Sequence, residues 1–116
     1  MSKFMTILVE NDVLQREVLA EVLKGDGFEV VECSTAEAAE LVVSTSGTEL
    51  RAVITDQHLD GQMLGSELAS FARRKYPDIN VILISGQQRP QLPAGATFLS
   101  KPFRPAELLK VVRDLS

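Results

Sequence analysis

The clearest structural signal in this chain is Ala52-Val53-Ile54-Thr55-Asp56, an apolar run that ends on a carboxylate. A continuous apolar run of this kind is typical of a strand buried on both faces of a parallel sheet. Three other apolar runs also lead into polar residues: Thr6-Ile7-Leu8-Val9 into Glu10-Asn11, Val81-Ile82-Leu83-Ile84 into Ser85-Gly86, and Phe98-Leu99 into Ser100-Lys101-Pro102. In an open parallel sheet, ligands bind outside the carboxyl ends of the strands. The sequence therefore predicts that these polar residues meet at a single site.

Segments of helical periodicity separate the apolar runs, which is the pattern of a parallel sheet covered by helices. Five strands are expected, at residues 6–9, 28–31, 52–54, 81–84 and 96–99, with the second at an edge of the sheet. Four helices are expected between and after them. The first follows a capping box of Asp12 and Gln15 and stops at Gly25 or Gly27, the second follows Ser34 paired with Glu37, the third runs from Leu64 to Lys75, and the fourth begins at Pro105.

The stretch from Ser85 to Gly95 departs from this alternation. A parallel crossover usually contains a helix, but Pro90 and Pro93 would each remove an amide donor and clash with the preceding turn. We therefore expect a loop or one distorted turn where a helix would normally lie. The predicted order is β-α-β-α-β-α-β-loop-β-α, with the fourth crossover helix shortened or absent.

Composition limits the classes of function that this chain can have. Its 116 residues, 45% of them hydrophobic, suit one domain that spans residues 1–116. The single Cys33 excludes an internal disulfide framework and a cysteine metal cluster, and it favours a reducing compartment. No apolar stretch approaches the roughly 18 residues of a membrane span, and no signal peptide is evident, so we expect a cytoplasmic protein. A net charge of −4 without a basic stripe argues against nucleic acid as a direct ligand, and leaves proteins and small ions as partners.

Four stretches of the chain, taken in order, resemble the receiver domain of bacterial two-component response regulators. They are Ile7-Leu8-Val9-Glu10-Asn11, Val53-Ile54-Thr55-Asp56, Val81-Ile82-Leu83-Ile84-Ser85-Gly86 and Phe98-Leu99-Ser100-Lys101-Pro102-Phe103. Each stretch is a weak signal alone, but all four occur at the approximate spacings of that family. The resemblance implies a flavodoxin-like, doubly wound sheet of five parallel strands in the order 2-1-3-4-5. It also implies that a histidine kinase passes a phosphoryl group to an aspartate at the end of the third strand.

The resemblance assigns roles to residues of the predicted site. Asp56 matches the phosphoacceptor, and a carboxylate can act as a covalent nucleophile. Lys101 matches the lysine that pairs with the phosphoryl group, and its bond to Pro102 is where the family has a cis peptide. Ser85 matches the switch hydroxyl, and Phe98 matches the aromatic residue that changes rotamer with it. Taken one at a time, these residues have more ordinary interpretations. Asp56 would be a turn aspartate, Lys101 a surface lysine, Ser85 a turn hydroxyl and Phe98 a core aromatic.

The resemblance also implies a Mg²⁺ site beside Asp56. Glu10 and Asn11 match the family's acidic pair, and the backbone carbonyl of His58 matches a further ligand. Mg²⁺ prefers oxygen ligands and retains several waters, so one or two carboxylates are sufficient. The family has a carboxylate where this chain has Asn11, so we expect weakened Mg²⁺ binding rather than none. Asp60 replaces the family's proline in the loop after Asp56, which predicts a looser loop.

The leading hypothesis is a stand-alone receiver that a sensor histidine kinase or phosphotransfer protein phosphorylates on Asp56, and that acts by binding a further protein. It would not be a conventional enzyme, although it would catalyse its own phosphorylation and dephosphorylation. Output would use the loop from Gln87 to Pro93 with the last helix, or another face. The alternative is a degenerate receiver that binds its partner independently of phosphorylation, which Asn11 favours. A flavin-binding protein or a small phosphatase fits less well, because residues 10–12 would repel a phosphate and His58 occupies the position of a phosphatase's second acid.

Overall fold

Five strands form one sheet, and every neighbouring pair of strands is parallel. The computed structural model describes residues 5–46, 49–87 and 91–115. In these residues the strands are β1 (Met5–Val9), β2 (Glu29–Cys33), β3 (Leu50–Asp56), β4 (Asn80–Ser85) and β5 (Thr97–Ser100). Their order across the sheet is β2-β1-β3-β4-β5, as the resemblance implied, and β2 lies at an edge as predicted.

Helices cover both faces of this sheet: α1 (Val13–Gly25), α2 (Ala36–Ser46), α3 (Gly65–Lys75) and α4 (Pro105–Leu115). One core joins α2 and α3 to strand residues such as Val53, and a second core joins α1 and α4 to strand residues such as Ile54. Successive residues of a strand point to opposite faces, so a strand covered on both faces is apolar at every position. The predicted doubly wound α/β fold is confirmed. Within the described residues, no helix has the length and apolar character needed to cross a membrane.

The register of the strands brings their carboxyl ends to one edge of the sheet. Asp56 pairs with Ile84, and Ser85 pairs with Ser100. Strands β1 and β3 also lie side by side, so Glu10 leaves the sheet next to Asp56. The polar residues that follow the strands therefore occupy neighbouring positions, as the sequence predicted.

The predicted N-cap of α1, Asp12, is confirmed, but only half of the predicted capping box forms, because the Asp12 N–H donates to Oε2 of Glu10 rather than to the Gln15 side chain. The Asp12 carboxylate accepts a hydrogen bond from the Gln15 N–H at 2.9 Å, and the helix ends at Gly25. Such a cap satisfies one of the free N–H groups of the first turn. Helix α3 begins at Gly65, one residue after the predicted Leu64, and ends at Lys75 as predicted.

The predicted cap of α2 is wrong by one residue. Helix α2 is capped by Thr35, whose hydroxyl accepts a hydrogen bond from the Ala38 N–H at 3.1 Å. The reason is that β2 continues to Cys33, two residues beyond its predicted end, and moves the start of the helix along the chain. Ser34 therefore does not form a capping box with Glu37, whose carboxylate binds the loop after β3 instead.

The connection from β4 to β5 contains no helix in its described residues, 86–87 and 91–96. Its last part is a turn in which the Ala96 N–H donates to the Pro93 carbonyl at 3.2 Å. Gly95 lies in this turn with φ of 84°, a backbone conformation that favours glycine because glycine has no Cβ. The predicted loss of the crossover helix is confirmed, while Pro90 lies outside the described residues.

Candidate functional site

Three charged side chains converge at the carboxyl edge of the sheet. The Lys101 Nζ lies 3.2 Å from each oxygen of the Asp56 carboxylate and 3.9 Å from Oε1 of Glu10. These residues follow or end three different strands, β5, β3 and β1. The peptide bond between Lys101 and Pro102 is cis, as the resemblance implied. The structure thus brings together the acid, the ammonium and the candidate metal ligand that the sequence placed at this edge.

Asp56 is a buried carboxylate, only 5% exposed, and Glu10 beside it is 4% exposed. Burial, followed by the hydrogen bond and the negative charge of Glu10, raises the pKa of Asp56 to about 7, while Lys101 acts in the opposite direction. The hydrogen bond from Lys101 goes to Oδ2. Oδ1 has no hydrogen-bond donor among the described residues, although the Lys101 charge lies at the same distance. One buried oxygen of the carboxylate therefore has no hydrogen bond from the described residues.

Glu10 is held in place by the start of α1. Its Oε2 accepts a hydrogen bond from the Asp12 N–H at 3.1 Å, and its backbone carbonyl accepts one from the Arg16 guanidinium at 2.7 Å. Arg16 also lies 3.6 Å from the Glu32 carboxylate on β2. The sequence analysis did not identify Arg16, because nothing in the local pattern of α1 distinguishes it from a surface arginine.

The two predicted switch residues lie on the neighbouring strands β4 and β5. Ser85 is buried, and its hydroxyl accepts a hydrogen bond from the Gln87 N–H at 3.1 Å. The Ser85 carbonyl accepts a hydrogen bond from the Lys101 N–H at 2.9 Å, which fixes the two strand ends relative to each other. Phe98 is half-buried and pairs in register with Leu83. Their placement agrees with the predicted positions, and their switching role stays a prediction.

Gln57 joins the phosphoacceptor candidate to α3. Its N–H donates to the Ile84 carbonyl at 2.9 Å, its carbonyl accepts from the Gly65 N–H at 2.9 Å, and its side-chain Oε1 accepts from the Ser66 N–H at 2.7 Å. A Cβ on Gly65 would lie 2.0 Å from the Asp56 carbonyl oxygen, so only glycine permits this approach. The sequence analysis missed both roles. The available signal was a glycine, Gly65, near the start of the predicted third helix, where glycine is a poor helix former.

The oxygen donors of this edge suit a hard cation. The described residues contain no group of three or more His, Cys, Asp and Glu side chains placed to hold a metal ion. Two adjacent buried carboxylates, Asp56 and Glu10, are present, and Oδ1 of Asp56 has no hydrogen-bond donor. Mg²⁺ requires only one or two carboxylates when it keeps several waters. The two carboxylates therefore fit Mg²⁺, while residue 11, next to Glu10 in the chain, is an uncharged asparagine.

An open cavity of about 630 Å³ lies beside the charged side chains. Glu10 and Lys101 form its polar part, and Pro102 and Phe103 form its apolar part. His58 is exposed to solvent on the loop that follows Asp56. A ligand can therefore reach the carboxylate edge from the side on which α1 begins.

Comparison with known proteins agrees with this geometry. Residues 6–113 match the family described as the response regulator receiver domain. The chain belongs to that family.

Two relatives and one solved structure illustrate the similarity of this receiver domain to its family. Response regulator protein FleR of Pseudomonas aeruginosa is 33% identical over 112 residues, which cover 91% of this chain and 23% of FleR. Nodulation protein W of Bradyrhizobium diazoefficiens is 30% identical over 117 residues, 96% of this chain and 50% of that protein. A response regulator receiver protein from Sinorhizobium medicae has a TM-score of 0.88 at 25% identity, over 97% of this chain and 93% of that one. This receiver domain thus spans half or less of the curated relatives that it matches.

Proposed function

We propose that this receiver accepts a phosphoryl group on Asp56 from a phosphohistidine of a sensor kinase or phosphotransfer protein, with Mg²⁺ as cofactor. The observation that carries the proposal is the contact of a buried Asp56 carboxylate with the Lys101 amine at 3.2 Å, beside Glu10. Phosphoryl transfer needs chiefly positioning of the reactants and stabilisation of charge on the transferred group. A fixed carboxylate with a neighbouring ammonium supplies both.

In the proposed reaction an oxygen of Asp56 attacks phosphorus while the bond from phosphorus to the donor's imidazole nitrogen breaks. The imidazole leaves as the neutral donor after it takes a proton, and Asp56 becomes an acyl phosphate. Lys101 stays paired with the negative oxygens of the transferred group. Glu10, Asp56, Asn11 and the His58 carbonyl would hold Mg²⁺, which supplies charge neutralisation when bound. Water later attacks the acyl phosphate and releases inorganic phosphate.

Ser85 and Phe98 are the proposed route from the site to the output surface. The Ser85 hydroxyl can exchange its hydrogen bond from the Gln87 N–H for one that it donates to a phosphoryl oxygen. That exchange would release the beginning of the β4–β5 connection, and Phe98 on the neighbouring strand would change rotamer with it. Output through residues 87–93 and α4 is part of this proposal, although residues 88–90 lie outside the described part of the chain.

The proposed docking surface for the phosphohistidine donor is an apolar patch on α1. Val13, Leu14 and Val18 are 55%, 74% and 46% exposed, which is unusual for large apolar side chains on one helix. The patch adjoins the open cavity at Asp12 and Gln15, so a helix seated on it would lie beside the charged site. An amphipathic helix that carries the phosphohistidine is the partner whose chemistry fits both features.

Incubation with acetyl phosphate tests the proposal. With Mg²⁺ present, the mass of the chain should increase by one phosphoryl group, and Asp56→Asn should abolish the increase. In Glu10→Gln, the amount of phosphoryl uptake should depend less on the Mg²⁺ concentration. Absence of uptake at millimolar Mg²⁺ would contradict the proposal and favour the alternative, a degenerate receiver that binds its partner independently of phosphorylation. Asn11 is the observation that favours this alternative.

A further inference from the structure

The loop between β3 and α3, residues 57–64, is bound by a side chain of another helix. Oε2 of Glu37, on α2, accepts hydrogen bonds from the backbone N–H groups of Gln62 at 2.9 Å and Met63 at 3.1 Å. Hydrogen bonds to a charged acceptor are roughly twice as strong as those between neutral groups. Hydrogen bonds from backbone N–H groups lower the pKa of Glu37, and the bond from Gln62 has the largest effect. These bonds therefore favour the carboxylate form.

The backbone of this loop passes directly against the Glu37 carboxylate. Gly61 has φ of 94°, and a Cβ at that position would lie 2.8 Å from Oε1 of Glu37. Asp60 forms a parallel bridge with Thr35, the residue that caps α2. The middle of the loop is therefore attached to the start of α2 through both backbone and side chain.

The other end of the loop is fixed at Gln57 by its hydrogen bonds to β4 and α3. Only His58 and Leu59 lie between Gln57 and the part of the loop that is attached to α2. Leu59 packs against the core on the α2 and α3 face, whereas His58 is exposed. The orientation of the His58 backbone thus depends on the attachments on both sides of it.

We infer that Glu37 is a positioning residue for the phosphoacceptor site, because it fixes the loop that presents the His58 carbonyl to the metal. It supplies by hydrogen bonding the rigidity that proline would give at position 60, where this chain has Asp60. The inference rests on the proposed function, since it concerns the Mg²⁺ ligands of the same site. The expectation of a looser loop considered only the missing proline, and the hydrogen bonds of Glu37 act against it.

Three variants of the full chain test this inference. Glu37→Ala removes both hydrogen bonds. Glu37→Gln keeps an acceptor oxygen without its charge, and is the conservative variant. Glu40→Gln removes a carboxylate from the same helix and is the matched control. For each variant, three quantities should be measured: amide hydrogen exchange at Gln62 and Met63, the Mg²⁺ affinity from amide chemical shifts without a phosphodonor, and the midpoint of urea unfolding.

Glu37→Ala should accelerate exchange at both amides and weaken Mg²⁺ affinity roughly fivefold, as expected for the loss of hydrogen bonds. Glu37→Gln should lie between Glu37→Ala and the wild type, and Glu40→Gln should match the wild type. A purely structural role would change the urea midpoint and leave Mg²⁺ affinity unchanged, and that result would overturn the inference. Unchanged hydrogen exchange at the Gln62 and Met63 amides in Glu37→Ala would also overturn the inference. Absence of Mg²⁺ binding by the wild type would overturn it as well. Failure of the wild type to take up a phosphoryl group while it binds Mg²⁺ would contradict only the proposed function.

Discussion

The amine of Lys101 lies 3.2 Å from each oxygen of Asp56, although the two residues are 45 positions apart in the chain. They meet because β3 and β5 end at the same edge of the sheet, on either side of β4. Glu10 lies 3.9 Å from the same amine. Lys101 therefore neutralises part of the charge of two buried carboxylates, and its removal should affect both the chemistry and the stability of the domain.

Lys101→Met should slow phosphoryl uptake from acetyl phosphate by at least about tenfold, because the transferred group loses its ammonium partner. The free energy of unfolding at pH 7 should fall by about 1 kcal/mol, a modest value because the Lys101 side chain is 38% exposed and water screens the pair. Mass spectrometry over time and urea unfolding measure the two effects. Lys110→Met, an exposed lysine on α4, is the control and should change neither.

Stability of the metal-free protein should fall as the pH rises from about 4 to about 7. Burial and Glu10 raise the pKa of Asp56 to about 7 in the folded state, against 3.8 for an unperturbed aspartate. Between these values the folded state keeps a proton that the unfolded state has lost, so the folded state loses this advantage as protons are removed.

Asp56→Asn should remove this part of the pH dependence and raise the free energy of unfolding at pH 7 by about 1–3 kcal/mol. Urea unfolding in the presence of a chelator, repeated across the pH range, measures the difference. Parallel pH profiles for the wild type and the variant would show that Asp56 titrates in the folded state as it does in the unfolded state.

Gly65→Ala should destabilise the domain by about 2–4 kcal/mol, because its Cβ would lie 2.0 Å from the Asp56 carbonyl oxygen and 2.8 Å from the carbonyl carbon. Both contacts are with backbone, so relief requires movement of α3 or of Asp56 itself. Phosphoryl uptake should therefore slow as well.

Gly25→Ala is the matched control for Gly65→Ala, since a Cβ there would meet nothing within 4 Å. At the end of α1 the added methyl group should leave stability unchanged or raise it by about 0.5–1 kcal/mol. Equal unfolding midpoints for the two variants would contradict the proposed backbone collision.

The sheet and its functional edge could be predicted from sequence because buried parallel strands have continuous apolar runs. Asp56 and Lys101 each follow or end such a run, so their convergence required only the order of the strands. The lack of a helix in the described part of the β4–β5 connection was predictable for a local reason, since Pro93 cannot continue a helix. Each of these features is marked by a pattern of residues that are close together in the chain.

Features that depend on contacts between distant segments could not be predicted in this way. Ser34 and Thr35 are both suitable helix caps, and the end of β2 selects Thr35. Glu37 satisfies a local capping pattern, yet its carboxylate binds N–H groups 25 and 26 positions away. The raised pKa of Asp56 likewise requires Glu10 from another strand.

Asn11→Asp should strengthen Mg²⁺ binding by about tenfold, because it adds a negative charge beside Glu10 where the chain now has a neutral amide. Without Mg²⁺ the same change should lower stability at neutral pH, since a third carboxylate would repel Glu10 and Asp56. Calorimetric titration with Mg²⁺ and urea unfolding with a chelator measure the two effects. Asn11→Ala is the counterpart that removes the amide oxygen, and it should weaken binding. Equal Mg²⁺ affinity for all three proteins would place residue 11 outside the metal site.

Leu14→Glu should slow phosphoryl transfer from a histidine phosphodonor by at least about tenfold and leave uptake from acetyl phosphate unchanged. Leu14 is 74% exposed and precedes Gln15, which lines the open cavity. A docked apolar donor helix would remove water from a charge at position 14, whereas the carboxylate site itself would not be disturbed. The donor in this experiment is whichever member of a panel of autophosphorylated sensor kinases phosphorylates the wild type fastest.

Leu41→Glu supplies the comparison for Leu14→Glu. Leu41 is 66% exposed on α2, a helix that packs on the opposite face of the sheet from α1. The Leu41→Glu variant should therefore accept a phosphoryl group at the wild-type rate from both donors. A loss of kinase-dependent transfer in Leu41→Glu equal to that in Leu14→Glu would contradict docking on α1. A loss of acetyl phosphate uptake in Leu14→Glu would mean that the substitution perturbs the carboxylate site itself rather than the approach of the donor.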